Sequence, residues 1–365
     1  MKIESKTLRY IILVIIIIFI FVMALISRFC AKDNGSANRI LSEPAATQTV
    51  NAISYGSIIK NKIFFPFLSS DNLVYYLSDK GIIFYNFNPV SQEIKKIWPN
   101  EVLGAYNVVF KKDASKAVIQ STYPNVNVSS IDFQNQKSYT LSDKIQSLVW
   151  ANDKIIYHYL DANNKINNIS ISDPDGSNWQ EIVAIDLNRP KLIVSPDTQE
   201  VLLIPTPVAE RDDERVENIY LLNINTKNIS QLTTDGYIPD ASWSPNGSKI
   251  LYYQWDKNVV KLTLGIMDKA TKEKKDLGIQ TNLNEAIWQD DQHVIVAVPQ
   301  TNSDTNAVGV VNYEFYIVDI NSNITTKLQL PSPGYIEDVK NMMYDSKDKI
   351  LYFTSKDMLY KITIK

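Results

Sequence analysis

The residues of this chain with most capacity for chemistry are carboxylates that recur once per segment. Asp113, Asp153, Asp197, Asp290 and Asp291 each follow a short apolar run and precede another. Asp side chains are hard oxygen ligands for calcium, but a calcium cage needs six or more oxygens converging on one point. Carboxylates spaced regularly along a chain more simply close turns, because Asp accepts hydrogen bonds from its own backbone two residues on. The two histidines, His158 and His293, each sit in or at the start of an apolar run, and a catalytic or metal role would need Asp, Glu or Cys side chains converging on them. They read as packing residues. Trp150, Trp243 and Trp288 offer flat faces that could stack a sugar ring, or could fill the space between packed sheets. The chain contains no Gly-x-Ser-x-Gly elbow, so a serine hydrolase has no support. The expectation is therefore no catalytic residue, no metal site and no cofactor.

One charged cluster stands apart. Between 207 and 217 the chain reads Pro-Val-Ala-Glu-Arg-Asp-Asp-Glu-Arg-Val-Glu. Glu210, Arg211, Asp212, Asp213, Glu214, Arg215 and Glu217 present both signs of charge in a loop longer than its counterparts. A second long excursion, 299–312, is polar and rich in Asn and Thr. Loops of this length inside a regular pattern are candidates for recognition, so a protein partner is expected on the face that carries them.

The elements that must position these residues follow a repeat. Its clearest copy runs from Trp243 through Ser244-Pro245-Asn246-Gly247 to Lys249-Ile250-Leu251-Tyr252-Tyr253. A strand ends on an aromatic, a turn reverses the chain, and a second apolar strand begins. The anchors Leu68, Phe110, Trp150, Val194, Trp243, Trp288 and Tyr344 are separated by 42, 40, 44, 49, 45 and 56 residues. Several strands per unit at a period of about 40–50 residues is the signature of a β-propeller. Short runs rich in Ile, Val and Tyr, bounded by turn residues, read as strands throughout. No segment beyond residue 30 sustains a helical period. The predicted fold is all-β, a propeller of seven four-stranded blades over 49–365. The final unit ends one strand short, and the β-branched segment 49–55 is expected to supply the missing strand and close the ring.

The pattern resembles the TolB-like propeller repeat, related to the tryptophan-aspartate repeat and to the propellers of the prolyl oligopeptidase family. The resemblance is carried by Ser230-Gln231-Leu232-Thr233, by Asp240-Ala241-Ser242-Trp243-Ser244-Pro245-Asn246-Gly247 and by Asp173-Pro174-Asp175-Gly176-Ser177-Asn178. It is best between about 189 and 255, and it implies a fold rather than an activity.

Residues 10–27 carry no charge and are mostly Ile, Leu, Val and Phe. As a helix they would span about 27 Å, the thickness of a bilayer's hydrocarbon core. Lys2, Lys6 and Arg9 precede the segment and Arg28 and Lys32 follow it, which favours a cytoplasmic N-terminus. No small-residue cleavage site follows, so an uncleaved transmembrane anchor is expected over 10–27, with 1–9 cytoplasmic and 28–48 a tether. Net charge of −3 and a pI near 5.6 supply no basic field for nucleic acid. Cys30 is the sole cysteine, so no intramolecular disulfide forms. The sequence thus points to a single-pass membrane protein whose propeller is extracytoplasmic and acts as a non-catalytic binding scaffold of the cell envelope. The alternative is a propeller enzyme of the metal-dependent hydrolase or lactonase type, with its site at the central channel.

Overall fold

The computed structural model describes residues 48–78, 82–206, 218–233, 237–256, 261–300, 312–331 and 335–365. The expected anchor and tether, the cluster Glu210–Glu217 and most of the second long excursion lie outside the described residues. No helix among the described residues is long and apolar enough to cross a membrane.

Seven antiparallel sheets are arranged as blades. Blade 1 is Phe64–Leu68, Val74–Leu77, Phe84–Phe87 and Ile94–Lys96. Blade 2 is Ala105–Phe110, Lys116–Ser121, Asn127–Asp132 and Lys137–Leu141. Blade 3 is Ile145–Ala151, Lys154–Asp161, Ile166–Ser172 and Gln180–Ala184. Blade 4 is Lys191–Val194, Glu200–Ile204, Tyr220–Asn223 and Ile229–Gln231. Blade 5 is Tyr237–Trp243, Lys249–Asp256, Lys261–Asp268 and Lys274–Asp276. Blades 6 and 7 begin at Ala286–Trp288 and Val339–Asp345. The first strands of successive blades touch around most of the ring, including blade 7 against blade 1, so they surround the axis.

Core packing follows from strand alternation, since successive side chains of one strand point to opposite faces of its sheet. In the second strand of blade 3, Ile155 and Tyr157 pack toward blade 2, whereas Ile156 packs toward blade 4. Each seam between neighbouring blades holds its own apolar cluster, among them Phe84, Phe110 and Phe133 between blades 1 and 2. The seam between blades 7 and 1 is filled by Tyr352 and Leu359 against Val74, Tyr76 and Phe87. A closed ring of cores leaves no blade with an uncovered face.

Turn chemistry repeats with the blades. At the first hinge of blades 4 and 5, the Ser195 and Ser244 hydroxyls donate to Asp197 and Asn246, at 2.6 and 3.0 Å. The same two hydroxyls accept the N–H that begins the next strand, from Glu200 and Lys249. At the turn between third and fourth strands, Asn88, Asp132, Asn223, Asp268 and Asp319 each accept two backbone N–H groups from the residues that follow. This second set of turn formers lies at strand ends, where the sequence pattern gave it no separate prominence.

Closure differs from the expectation. The strand that completes blade 7 is Ser54–Ile59, paired antiparallel with Met358–Thr363. The residues just before it, Gln48–Asn51, add a fifth, parallel strand to blade 6 beside Thr325–Gln329. Segment 49–55 therefore straddles two blades instead of serving one. Ala52 N–H bonds Gln329 and Ile53 N–H bonds Thr363, so the chain steps from one blade's outer edge to the next without a loop.

Candidate functional site

Antiparallel blades give the disc two distinct faces. Hinges between first and second strands, and turns between third and fourth, emerge on one face. Connections between second and third strands emerge on the other. The two long excursions fall in blades 4 and 6, bracketed by Glu200–Ile204 and Tyr220–Asn223, and by His293–Gln300 and Asn312–Asp319. Both bases belong to the second face, two blades apart.

The hinge face carries a cavity at the axis of about 860 Å³. Its walls are the ends of first strands: Phe67, Val109, Val149 and Ile193, with Phe110, Trp150 and Trp243 beneath. The tryptophans are held by the neighbouring blade. The Trp150 indole N–H donates to Val109 O at 2.8 Å and that of Trp243 to Ile193 O at 3.1 Å. Trp288 is equally buried, but its indole nitrogen has no protein partner. All three are thus wedges between blades, and Trp150 and Trp243 also form part of the cavity floor.

The rim consists of Lys111, Lys112, Asp113, Asn152, Asp153 and Thr198. Lys111 sits between Asp153 at 2.7 Å and Asp113 at 3.0 Å. Burial alone would lower its pKa; the two carboxylates outweigh this and raise it, so the ammonium stays charged. For Asp113 burial acts upward, but the Ser115 N–H and hydroxyl and the Lys111 ammonium hold it below the usual carboxylate range. Asn152 donates to the Thr198 hydroxyl at 2.7 Å. Hinges of blades 2, 3 and 4 are thereby tied side by side. A rim fixed before binding loses little entropy when a ligand arrives.

The recurring carboxylates do not converge. Asp113, Asp197 and Asp290 accept N–H groups within their own turns, Asp153 pairs with Lys111, and Asp291 accepts the Asn246 N–H of the preceding blade at 2.8 Å. Among the described residues no three His, Cys, Asp or Glu side chains come together to hold a metal ion.

The histidines differ from each other. His293 lies beside Asp290 in an exposed hinge. His158 is fully buried, with Nε2 2.7 Å from Asn167 Oδ1 and Nδ1 without a protein partner. Burial lowers its pKa from the ordinary 6.5 more than the Asn167 bond raises it, so the folded protein keeps a neutral ring. The unfolded chain takes up the proton first. Stability contributed by the neutral ring is therefore complete above about pH 6.5 and declines as pH falls from there toward the lower folded value. Gln120 occupies the matching position in blade 2, buried and bonded to the carbonyls of Ile145 and Gln146. His158→Gln should flatten the stability profile below pH 6.5, measured by urea melts. A slope unchanged from the parent would assign the acid sensitivity to other groups.

On the second face, the 3₁₀ turn Leu283–Glu285 touches the first strands of blades 5, 6 and 7. Its Glu285 carboxylate is buried yet fully engaged: Asn282 N–H at 3.0 Å, the Thr281 hydroxyl at 2.5 Å and the Tyr313 hydroxyl at 2.9 Å. Sequence reasoning missed this group, because nothing local marks a Glu in a polar connector as buried.

No family model and no curated protein matches the chain. Solved structures do. The tricorn protease matches at a TM-score of 0.56 and 8% identity, over 84% of this chain and 34% of that one. An oligogalacturonate lyase in complex with manganese matches at 0.50 and 13%, over 83% and 78%. TolB from Acinetobacter baumannii matches at 0.49 and 13%, over 78% and 66%. The chain thus spans about a third of the protease chain and just under two thirds of TolB. Identities this low show fold alone. The chain is a seven-bladed β-propeller.

Proposed function

We propose that this propeller is a membrane-anchored, extracytoplasmic binding scaffold of the cell envelope, without catalysis of its own, and that it takes its partner at the hinge-face mouth. The observation that carries the reading is the mouth itself: an apolar, aromatic floor inside a rim of paired charges fixed across several blades. Concave sites of this composition are where ligands are bound. Its carboxylates are spent on turns and ion pairs, which suits recognition better than acid–base work. Anchoring rests on the uncharged segment 10–27 and its positive flanks.

The bases of the two long excursions give the opposite face a rival claim. A photo-crosslinking residue placed at position 152, in the full chain in native membranes, should yield a discrete protein adduct. The same residue at position 206, the exposed base of the first long excursion, reports on the opposite face. Adducts at 206 alone would move the partner there, and adducts at neither position would overturn the scaffold reading. External protease acting on intact spheroplasts should digest the propeller; protection would reverse the topology.

A further inference from the structure

The mouth does not end at the axis. A second cleft, of about 460 Å³, lies between hinge 69–72 of blade 1 and hinge 345–348 of blade 7, and it shares Ser70 and Lys112 with the mouth. The two cavities adjoin, so a groove runs from the aromatic floor outward over the seam where the ring closes.

Its position has a structural cause. At five other seams, from blades 1 and 2 round to blades 5 and 6, the hinge face is bridged. Ser70 N–H donates to Lys112 O between blades 1 and 2, and Lys111 meets Asp153 between 2 and 3. Asn152 meets Thr198 between 3 and 4, and Lys269 meets Glu200 at 2.8 Å between 4 and 5. Asn246 N–H meets Asp291 between 5 and 6, and between 6 and 7 the Gln289 side chain lies near the Tyr344 hydroxyl. Among the described residues no hydrogen bond or ion pair joins hinge 69–72 to hinge 345–348. The hinges of blades 7 and 1 are therefore untied where the ring closes.

The charges in that opening are of two kinds. Asp71 accepts the Ser69 hydroxyl, and buried Asp345 accepts the N–H groups of Lys347 and Asp348 at 3.0 and 3.2 Å. Both carboxylates serve their own turns. Lys112 and Lys347 are exposed, and among the described residues neither ammonium has a carboxylate within ion-pair distance. Four formal charges cancel, so the cleft exerts little long-range pull. It offers two unpaired donors to an anion already brought into contact.

We propose that the mouth and the seam cleft form one groove for an extended segment of a partner protein, with an apolar side chain on the axial floor and a carboxylate between Lys112 and Lys347. An extended chain advances about 3.3 Å per residue, so adjoining pockets are reached by side chains within about three residues of one another. The groove is open along its length and its rim is set with the hydroxyls of Ser70, Ser346 and Thr198 and the amide of Asn152. Such groups pair with a peptide backbone regardless of its sequence, leaving the apolar anchor and the acid to give specificity. The inference rests on the binding role proposed for the mouth.

The test is selection of random twelve-residue peptides on the full chain in detergent, compared with Lys112→Glu/Lys347→Glu and with Ser70→Trp, which fills the neck between the cavities. The parent should enrich peptides with an aromatic or aliphatic residue and an Asp or Glu within about three positions. The double charge reversal should weaken those peptides at least about tenfold, the loss of 1.4 kcal/mol or more, and should itself enrich Lys or Arg beside the same apolar residue. Ser70→Trp should enrich neither. Peptides that bind parent and charge-reversed chain equally would overturn the acidic specificity and leave mouth binding intact. Peptides indifferent to Ser70→Trp would overturn the groove and leave mouth binding intact, whereas no enrichment at all would overturn the binding role and the groove together.

Discussion

A chain beginning at residue 60 should lose most of its stability, while one beginning at residue 48 should melt like the parent. The first removes both Ser54–Ile59 and Gln48–Asn51. Blade 7 then ends at Met358–Thr363, whose outer backbone groups lose their partners, and an unpaired edge of that kind is a template for association. Two seams are also stripped. Ile59 leaves the cluster between blades 7 and 1, and Ala52, Val50 and Tyr55 leave the one between blades 6 and 7. Fully burying one Ile stabilises by roughly 1.5–3 kcal/mol. Several such side chains plus a strand's ladder approach the whole stability of an ordinary domain, about 5–15 kcal/mol. A chain beginning at residue 53 separates the two strands. It loses five residues, the four exposed or half-buried ones paired in parallel and buried Ala52 with its N–H bond to Gln329 O, so its stability should fall by about 2–4 kcal/mol, a few hydrogen bonds and one small apolar side chain. Urea melts of the three chains, with size-exclusion profiles, decide the matter. Equal midpoints for chains starting at 48 and 60 would show that blade 7 stands with three strands and that closure lies elsewhere.

That graded behaviour also marks where the sequence was readable and where it was not. Blade number and hinge positions were legible because each hinge joins a large apolar residue to a turn former, and the period is long enough to count. Trp243 with Ser244-Pro245-Asn246 is the extreme case, and its structure matches residue for residue. The closing strand was located only to within a few residues. Ser54–Ile59 and Gln48–Asn51 are edge strands, half-buried or exposed along most of their length, so hydrophobic alternation says little about their register. The axial mouth was legible only in part. The central channel was an expected alternative site and Trp150 and Trp243 were marked as stacking faces, but Phe67, Val109, Val149 and Ile193 come from four blades, and in one dimension each looks like any strand residue. The unbridged seam depends on a bond that does not form between hinges more than 270 residues apart in sequence, which no local motif records.

Glu285→Ala should be among the most damaging single substitutions outside the apolar clusters. The Glu285 carboxylate is 6% exposed and receives the Asn282 N–H and the hydroxyls of Thr281 and Tyr313. Removing it takes the acceptor from the Asn282 N–H and from the half-buried Tyr313 hydroxyl, while the Thr281 hydroxyl keeps Ala297 O at 2.6 Å; each donor left unsatisfied at a buried site costs about 1–3 kcal/mol. A total of about 2–3 kcal/mol is expected. Tyr313→Phe removes one donor and one bond to a charged acceptor, a loss of about 1.5–3 kcal/mol. The Tyr313 hydroxyl resists ionisation strongly, through burial first and the adjacent Glu285 second, so it remains a donor across the ordinary pH range. Because the two side chains share one contact, their effects should not add. The double variant Glu285→Ala/Tyr313→Phe should be less damaged than the sum by about 0.5–3 kcal/mol, as for other residues in one network. The consequence reaches past stability. Tyr313 is the second residue of the third strand of blade 6, directly after the excursion 299–312, and its N–H is bonded to Ile336 O. Glu285 therefore fixes the base of that excursion to the turn over blades 5, 6 and 7. Hydrogen exchange in Glu285→Ala should rise at 281–286 and at 312–316 together, with the hinge face unaffected. Additive losses, or exchange confined to 281–286, would show that the 3₁₀ turn and the base of the excursion are independent.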